Sequence, residues 1–340
     1  YRPGLRPLAS TRWQASETLN THSLNETRPM KPPVLLLAPL HAPTQRELEA
    51  LYEVHPLYNA ANPASLLADL APRCEIAVTA GARGMDAATM RQLPRLKLVA
   101  CFGVGVDAVD VAHARANGIA VTNTPEVLTE DVADLALALL LGAVRRIPHG
   151  DRFVREGHWL KGGMALTRSL QGNRVGVVGL GRIGLAIAQR CAAFNTEIAY
   201  FGPRKKSDSP YLYFGDIVEM AHWADVLIAA CPGGEATRGI VSRAALEALG
   251  PEGLFVNISR GSVVDQPAMI ALLASGKLGA AALDVFDREP QVPSELIGLD
   301  NVVLHPHQGS ATHPTRAAMG RLVLDNVAAY VAARPLVTPV

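Results

Sequence analysis

A glycine-rich stretch constrains the fold of this chain more than any other part of its sequence. Residues 174–184 read Arg-Val-Gly-Val-Val-Gly-Leu-Gly-Arg-Ile-Gly. The apolar run 175–178 is typical of a buried parallel strand, glycines follow it in the spacing G-x-G-x-x-G, and a helical pattern comes next. Because strand, glycines and helix occur in that order, the stretch predicts a dinucleotide-binding unit. A tight strand-to-helix turn without a ligand is the plainer alternative.

The three glycines have separate roles in such a unit. We expect Gly179 to make the tight turn, Gly181 to let a pyrophosphate approach the backbone, and Gly184 to let helix and strand pack closely. The free N–H groups and the positive dipole end at the start of the helix favour phosphate. The residues predicted to bind the cofactor here are Gly179, Leu180, Gly181, Arg182, Ile183 and Gly184.

Strand-like and helix-like patterns alternate along the rest of the chain, which is typical of parallel α/β folds. A first unit precedes the glycine-rich stretch, and its strand-like runs are 33–38, 75–79, 96–102 and 119–122. A second unit contains the stretch and continues with runs at 197–201, 225–231, 254–259, 280–286 and 302–305. The sequence therefore predicts an α/β protein with two open parallel-sheet domains. A helix over 315–333 is expected to fold back onto the first unit.

A long helix is predicted over residues 129–147. Thr129 is its expected N-cap, Glu130 and Asp131 fall in its first turn, and Arg145–Arg146 fall in its last turn. The helix dipole favours these charges at these ends. The residues between are apolar nearly all round, so the helix is buried on several sides. It is either a core helix of its domain or a subunit interface.

Composition excludes several classes of protein. The chain has 340 residues, a length typical of about two domains. Its net charge of +1 does not indicate a surface that binds nucleic acid or an acidic membrane. Its longest apolar run, 135–144, is far below the ~20 residues that cross a bilayer. Residues 1–29 are polar and irregular, and we expect a leader or an artificial extension there. The four cysteines are far apart, without metal or redox spacing, and are expected to be buried thiols in the cytoplasm.

Charged residues follow the predicted strands of the second unit, where ligands bind in open parallel sheets. They are Arg260, Glu289 and His307. Reduction of a ketone needs a hydride and a proton; histidine supplies the proton near neutral pH, and a neighbouring carboxylate keeps it charged. Arginine holds a carboxylate by bidentate contact. The backbone N–H groups of Val104 and Gly105 are expected to hold the same carboxylate from the first unit.

Simpler alternatives exist for these residues. An arginine after a strand is often a solvated end, and a lone histidine is often structural. His305, His307 and His313 have no suitably spaced acidic or cysteine partner, so we expect no metal site. Asp107 and Asp110 are expected to start a helix.

Several motifs together resemble the D-isomer-specific 2-hydroxyacid dehydrogenases. They occur in order between about residue 33 and the C-terminus: Gly103-Val104-Gly105-Val106-Asp107, Asn123-Thr124-Pro125, the glycine-rich stretch, Asn257-Ile258-Ser259-Arg260-Gly261, Ala282-Leu283-Asp284-Val285-Phe286 with Arg288-Glu289-Pro290, and Pro306-His307-Gln308-Gly309-Ser310. Residues 248–251 and 298–304 are most similar to the glyoxylate/hydroxypyruvate reductase branch.

The resemblance implies an architecture and a site. A Rossmann NADP-binding domain, 126–310, is inserted in a smaller flavodoxin-like substrate-binding domain, 30–125 with 311–340. Arg260 matches the substrate-binding arginine, His307 the catalytic histidine, and Glu289 its carboxylate partner. The other implied substrate-binding residues are Val104, Gly105 and Ser310, and the other implied cofactor-binding residues are Pro232, Ile258, Asp284 and Gly309. Family members are homodimers through the cofactor domain, which makes the helix 129–147 an interface candidate.

The end of the second strand of the Rossmann unit predicts which cofactor binds. An NAD-binding chain usually has an acid about 20 residues past the first glycine. Here residues 200–206 read Tyr-Phe-Gly-Pro-Arg-Lys-Lys, without an acid, and Glu197 begins the strand at the wrong edge. The cations attract a 2′-phosphate, so we expect NADP, with NAD as the lesser cofactor; an ordinary basic loop is the alternative. The branch often has Ser-Arg where this chain has Gly202-Pro203, so Arg204, together with Lys205, is the expected phosphate contact.

The predicted activity is NADPH-dependent reduction of glyoxylate or hydroxypyruvate to the D-2-hydroxy acid, with the proton from His307. A bulkier 2-keto acid, such as 2-ketogluconate or an aryl pyruvate, is the first alternative, and the loop 80–85 is where the pocket would differ. A non-enzymatic regulator that senses dinucleotide is the second, and the presence of Arg260, Glu289 and His307 disfavours it.

Overall fold

A computed structural model describes residues 31–340; the predicted leader, residues 1–29, lies outside that range. The first part of the chain forms a five-stranded sheet with the order β2-β1-β3-β4-β5. All of its neighbouring strands are parallel. Its strands are β1 (Pro33–Leu36), β2 (Glu53–Pro56), β3 (Ile76–Ala80), β4 (Leu98–Phe102) and β5 (Ala120–Thr122). This order is that of flavodoxin-like folds.

A second, seven-stranded sheet has the order β12-β11-β10-β9-β6-β7-β8, again with every pair parallel. Its strands are β6 (Arg174–Val178), β7 (Glu197–Phe201), β8 (Leu212–Phe214), β9 (Val226–Ala229), β10 (Leu254–Asn257), β11 (Ala280–Leu283) and β12 (Val302–Leu304). The strand order reverses between β6 and β9, which is the switch point of a Rossmann sheet. The predicted fold class is therefore confirmed.

Helices cover both sheets, so the central strands are buried on both faces and read as continuous apolar runs. β4, for example, is buried over its whole length. The helices are α1 (Ala42–Leu51), α2 (Pro63–Leu70), α3 (Ala87–Arg91), α4 (Val111–Ala116), α5 (Thr129–Val144), α6 (Ile147–Arg155), α7 (Arg182–Ala192), α8 (Ile217–Trp223), α9 (Arg243–Leu249), α10 (Gln266–Ala274), α11 (Ser294–Ile297) and α12 (His313–Val331).

The long helix α5 is a core helix of the second sheet. It packs on α7 and on β10, β11 and β12, and its exposed residues are Glu130, Asp134 and Ala138. The predicted N-cap was wrong: the cap is Leu128, and the N–H of Thr129 donates to the carbonyl of Glu126 in a preceding turn. The predicted C-terminus was also wrong, because Arg146 adopts a left-handed φ of +51° and ends the helix at Val144.

The C-terminal helix α12 returns to the first sheet, where it packs on β4 and α1, as predicted. Its contact with α1 is close: a Cβ on Gly320 would lie 1.9 Å from Oγ1 of Thr44. Thr312, the N-cap of α12, donates to Asp131 of α5 at 2.5 Å, so the start of α12 is tied to the second sheet. The predicted domain boundaries, 125/126 and 310/311, stay a prediction.

Candidate functional site

The glycine-rich turn lies at the switch point of the second sheet. Gly179 has a φ of +95°, and a Cβ on it would lie 2.7 Å from Cα of Cys231. A Cβ on Gly184 would lie 2.0 Å from the carbonyl oxygen of Gly179, whereas a Cβ on Gly181 would meet nothing within 4 Å. The packing roles predicted for Gly179 and Gly184 are confirmed. The open space at Gly181 fits a group that approaches from outside, such as a pyrophosphate.

The other predicted cofactor residues surround this turn. Leu180 is buried in the turn itself, and Arg182 and Ile183 open α7, where backbone N–H groups are left without helical partners. Arg182 also forms an exposed ion pair with Glu126. Pro232 follows β9 and Ile258 follows β10, so both flank the switch point. This arrangement fits a dinucleotide.

Asp284 organises the loop that follows β12. It is 1% exposed, and both carboxylate oxygens accept hydrogen bonds. Oδ1 accepts from the N–H of Gln308 at 2.8 Å and lies 2.8 Å from Nδ1 of His305, and Oδ2 accepts from the N–H of Gly309 at 3.0 Å. Asp284 therefore holds the loop that carries His307. Its predicted contact with the nicotinamide stays a prediction, and His305 is a contact of the site that sequence reasoning did not assign.

His307 and Glu289 form a hydrogen-bonded pair. Nδ1 of His307 lies 2.6 Å from Oε2 of Glu289, and Oε1 of Glu289 accepts from the N–H of Phe286 at 3.0 Å. Burial raises the pKa of Glu289, but the hydrogen bond and the charge of His307 outweigh burial, so the pKa lies below its usual 4.5. The carboxylate is therefore ionised at neutral pH and fixes the ring, leaving Nε2 for proton transfer.

Arg260 lies on the loop after β10, in direct contact with the segment that carries Glu289. A Cβ on the next residue, Gly261, would lie 2.0 Å from the backbone carbon of Phe286. The charge of Arg260 contributes to the lowered pKa of Glu289. Its Nη1 donates to the carbonyl of Ser259 at 2.8 Å, and its Nε donates to Asp107 at 3.2 Å. The structure thus brings Arg260, Glu289 and His307 together, as predicted.

The loop after β4 approaches the same site from the first sheet. A Cβ on Gly105 would lie 1.8 Å from Nη2 of Arg260, and a Cβ on Gly81 would lie 3.8 Å from it. No acceptor within residues 31–340 engages the backbone N–H of Val104 or Gly105. These free donors lie where the substrate carboxylate was predicted, and Gly81 brings the loop 80–85 to the same place. Ser310, three residues past His307, is partly buried.

Asp107 is a second residue of the candidate site that the sequence analysis did not assign. It was expected to help start a helix, but only Asp110 does so: its Oδ1 accepts from the N–H of His113 at the start of α4. Asp107 instead pairs with Arg260, 153 residues away in the sequence. A partner so distant leaves no local pattern, since only the position of the two sheets brings the side chains together.

The basic loop after β7 is held by two tyrosines. The hydroxyl of Tyr200 accepts from the N–H of Lys206 at 2.7 Å, and the hydroxyl of Tyr213 donates to the carbonyl of Gly202 at 3.2 Å. Arg204 and Lys205 are exposed, and neither forms an ion pair with a carboxylate of residues 31–340. Two uncompensated cations therefore lie on an ordered loop beside the dinucleotide turn.

The cysteines do not contribute chemistry to this site. Cys74, Cys101, Cys191 and Cys231 are free and buried, and burial raises the pKa of Cys101 and Cys191 to about 12 and that of Cys231 to about 11. Across the described part of the chain, no three His, Cys, Asp or Glu residues are arranged to hold a metal ion. None of the helices within 31–340 has the length and apolar character needed to span a bilayer.

A Rossmann sheet with a glycine-rich turn at its switch point, beside a histidine–glutamate pair and an arginine, defines the class of nicotinamide-dependent α/β oxidoreductases. Residues 137–309 match the family model described as "D-isomer specific 2-hydroxyacid dehydrogenase, NAD binding domain". The chain belongs to the D-isomer-specific 2-hydroxyacid dehydrogenase family and is an enzyme. The predicted family is thereby confirmed.

Relatives and solved structures match nearly the whole chain. Hydroxyphenylpyruvate reductase of Plectranthus scutellarioides is 44% identical over 90% of this chain and 98% of its own length. A glyoxylate/hydroxypyruvate reductase of Arabidopsis thaliana is 44% identical with the same coverage. The NADPH-dependent glyoxylate/hydroxypyruvate reductase of Sinorhizobium meliloti, solved with NADP and malonate, is 40% identical, with a TM-score of 0.86 over 91% of this chain and 97% of that chain.

Proposed function

We propose that this enzyme reduces a small 2-keto acid, glyoxylate or hydroxypyruvate, to the D-2-hydroxy acid with NADPH. The observation that carries the proposal is the pairing of His307 with Glu289 at 2.6 Å beside Arg260. A proton donor, the carboxylate that orients it and a cation for the substrate carboxylate then adjoin one dinucleotide turn. The names of two relatives, which are glyoxylate/hydroxypyruvate reductases, support the same substrate class.

In this proposal each side chain has one task. Arg260 and the N–H groups of Val104 and Gly105 bind the carboxylate of the keto acid and so fix the orientation of its ketone. The nicotinamide, when bound, supplies the hydride. Nε2 of His307 donates a proton to the ketone oxygen, and Glu289 stabilises the imidazolium from the other side of the ring. In the reverse reaction the neutral ring accepts the proton.

The proposed cofactor-binding residues lie in the glycine-rich turn and in the loops next to it. The pyrophosphate binds at the start of α7, and the nicotinamide lies towards Asp284. The residues are Gly179, Leu180, Gly181, Arg182, Ile183, Gly184, Pro232, Ile258, Asp284 and Gly309, and the substrate residues include Ser310. A Cβ on Gly309 would lie 3.3 Å from Oδ2 of Asp284 and from Cγ2 of Val132, so a larger residue would crowd the loop.

NADPH is the proposed cofactor, with NADH as the weaker one. Arg204 and Lys205 are uncompensated cations on an ordered loop, where an acid would be needed to bind the ribose hydroxyls of NAD. Replacement of Arg204 by alanine should lower the ratio of kcat/KM with NADPH to kcat/KM with NADH by about tenfold or more, since one charge-assisted phosphate contact is lost. Lys277→Ala, which removes an exposed cation before β11 at the opposite edge of the sheet, should leave the ratio unchanged. A preference for NADH in the natural protein would refute the cofactor assignment.

A bulkier aromatic substrate is the second candidate, and the hydroxyphenylpyruvate reductase relative favours it. The two candidates separate in one experiment: a panel of 2-keto acids with NADPH, followed by the loss of reduced-nicotinamide absorbance. Glyoxylate or hydroxypyruvate should give the highest kcat/KM. A higher value for an aryl pyruvate or 2-ketogluconate would replace the small substrate, and no turnover of any 2-keto acid would refute the proposed activity.

A homodimer through the cofactor domain is also part of the proposal. Exposed apolar side chains are concentrated between α6 and the segment before β6: Ile147, Val154, Trp159, Leu160 and Leu166. Leu160 is 93% and Leu166 100% exposed. Leu166 lines a cavity of about 410 Å³ at the starting edge of β10 to β12. Because α5 is already buried by its own domain, these side chains, rather than α5, form the proposed dimer surface.

The proposed location is the cytoplasm. The four cysteines are unpaired, and their burial keeps the thiols protonated. Reduced thiols of this kind suit a reducing compartment. Fractionation of the native cells with an antibody to the chain would test the location.

A further inference from the structure

Asp107 and Arg260 form a contact between the loops that follow β4 and β10, one from each sheet. Nε of Arg260 lies 3.2 Å from Oδ1 and 3.3 Å from Oδ2 of Asp107. The side chains are only 24% and 19% exposed. With Nη1 donating to the carbonyl of Ser259, two of the three guanidinium nitrogens are held by the protein.

The third nitrogen, Nη2, is directed towards the first sheet. No acceptor within the described range 31–340 engages it, and it lies against Gly105 and Gly81, where added Cβ atoms would be 1.8 and 3.8 Å away. The free N–H groups of Val104 and Gly105 belong to the same loop. The donors available to a carboxylate are therefore Nη2 and these two amides.

The space around the pair fits an aspartate. A Cβ on Gly233 would lie 2.7 Å from Cγ of Arg260 and 2.8 Å from Oδ2 of Asp107. The loop after β9 thus packs on the pair from a third side, and a bulkier pair would not fit. Asp110, three residues along the same loop, is the residue that caps α4, so capping does not explain Asp107.

We propose that Asp107 is a positioning residue for the substrate carboxylate. It accepts from Nε of Arg260 and thereby fixes the rotation of the guanidinium, so that Nη2 faces the amides of Val104 and Gly105. Asp107 does not touch the substrate; it acts through Arg260. This role rests on the proposed function, in which Arg260 binds the carboxylate of the 2-keto acid.

The test compares Asp107→Ala, Asp107→Asn and Asp110→Ala. Loss of a hydrogen bond to a charged group should raise KM for glyoxylate about 10- to 100-fold in Asp107→Ala, with a smaller change in kcat and an unchanged Kd for NADPH. Asp107→Asn keeps an acceptor oxygen for Nε and should restore most of the affinity. Asp110→Ala removes a cap from the same loop and should leave KM unchanged. If the alanine variant fails to fold, Asp107→Ser, whose hydroxyl is too short to reach Nε, takes its place with the same expected rise.

A second measurement separates this role from the proposed reaction. Oxalate, a dicarboxylate without a reducible ketone, is titrated into the NADPH complex, and the nicotinamide fluorescence gives its Kd. A weaker Kd in Asp107→Ala, but not in Asp110→Ala, supports the positioning role even if the natural protein reduces none of the 2-keto acids tested. An unchanged KM and oxalate Kd in Asp107→Ala overturn the role. An asparagine variant as impaired as the alanine variant also overturns it, because the negative charge and not the acceptor would then matter.

Discussion

His307 has a backbone conformation that its neighbours must maintain. Its φ of +51° lies in the left-handed region, which costs an L-residue about 1 kcal/mol or more. Three successive N–H groups offset that cost by donating to Asp284: that of His307 to the carbonyl, and those of Gln308 and Gly309 to the carboxylate. One buried aspartate therefore sets the direction in which the ring of His307 projects.

Replacement of His307 tests the proposed acid directly. His307→Ala should lower kcat about 10²- to 10⁴-fold, because the ketone oxygen loses its proton donor, and the Kd for NADPH should stay close to that of the natural protein. Steady-state kinetics and fluorescence titration measure the two quantities. His313→Ala, at the exposed start of α12, is the control and should keep full activity. Near-normal turnover in His307→Ala would contradict the acid role.

Glu289 links the site to the pH dependence of stability. Its pKa is lowered in the folded protein, so its contribution is present above the usual 4.5 and is lost as the pH falls through the folded value. Glu289→Gln should therefore lower the free energy of unfolding at neutral pH, by about 1–2 kcal/mol for a charged hydrogen bond, and the difference should shrink as the solution is acidified below 4.5. Urea unfolding at several pH values measures it. A difference that grows in acid would have the wrong sign and contradict the assignment.

The same replacement has a kinetic consequence. Without the carboxylate, Nδ1 of His307 loses the hydrogen bond that fixes the ring, so kcat for ketone reduction should fall while the Kd for NADPH stays unchanged. A Kd for NADPH that weakens in parallel with kcat would instead indicate a purely structural role for Glu289.

At the scale of the elements, apolar runs predicted the central strands but not their ends. The run 280–286 was predicted as one strand, whereas β11 ends at Leu283. Asp284, Val285 and Phe286 are still buried, but they form the loop after the strand. Burial therefore extends beyond the last residue that pairs with a neighbouring strand, and an apolar run does not mark the end of the strand. The short edge strands β2 and β8 were not predicted, because three or four partly exposed residues leave too weak an apolar pattern.

The site itself was predictable where a local motif carries it. The glycine-rich turn needs its residues close together in sequence, and so Gly179 and Gly184 were assigned correctly to packing. The contact of Asp107 with Arg260 and the hold of Asp284 on residues 307–309 depend on loops from different strands. Such contacts are fixed by the topology of the sheets, and no spacing in the sequence encodes them.

Gly181, the N-cap of α7, and Gly184, in its first turn, allow an effect on folding to be distinguished from an effect on cofactor binding. Gly184→Ala should destabilise the protein by about 1–3 kcal/mol or more, because its Cβ would lie 2.0 Å from a backbone oxygen that cannot move freely. Gly181→Ala should fold normally, since its Cβ meets nothing within 4 Å, yet bind NADPH more weakly by crowding the pyrophosphate. Thermal unfolding and cofactor titration of both variants provide the comparison. Unchanged NADPH affinity in Gly181→Ala would argue against the proposed pyrophosphate position.

At the scale of the whole molecule, loops of both sheets meet at the candidate site. The first supplies backbone donors and Asp107, and the second supplies the dinucleotide turn, Arg260, Glu289 and His307. Hydrogen bonds join the two parts away from the site as well: Thr312 donates to Asp131, and Oγ1 of Thr315 donates to the carbonyl of Val127. The segments near residues 126–131 and 311–315 therefore lie side by side, where the chain passes between the predicted domains.

The exposed leucines before β6 lead to the last prediction, which concerns assembly. Leu160 and Leu166 have almost no cover from residues 31–340, and apolar side chains grouped in this way are typical of a surface that binds another protein. If a second copy covers them, Leu160→Asp with Leu166→Asp should convert the dimer to a monomer, because each carboxylate would be buried against an apolar partner. Light scattering coupled to size exclusion measures the mass. Leu51→Asp, at an exposed position on α1 of the first sheet, is the matched control and should stay dimeric. A natural protein that is monomeric at micromolar concentration would refute the dimer, and a double variant that remains dimeric would place the interface elsewhere. Activity that survives in the monomeric variant would show that each site is complete within one chain.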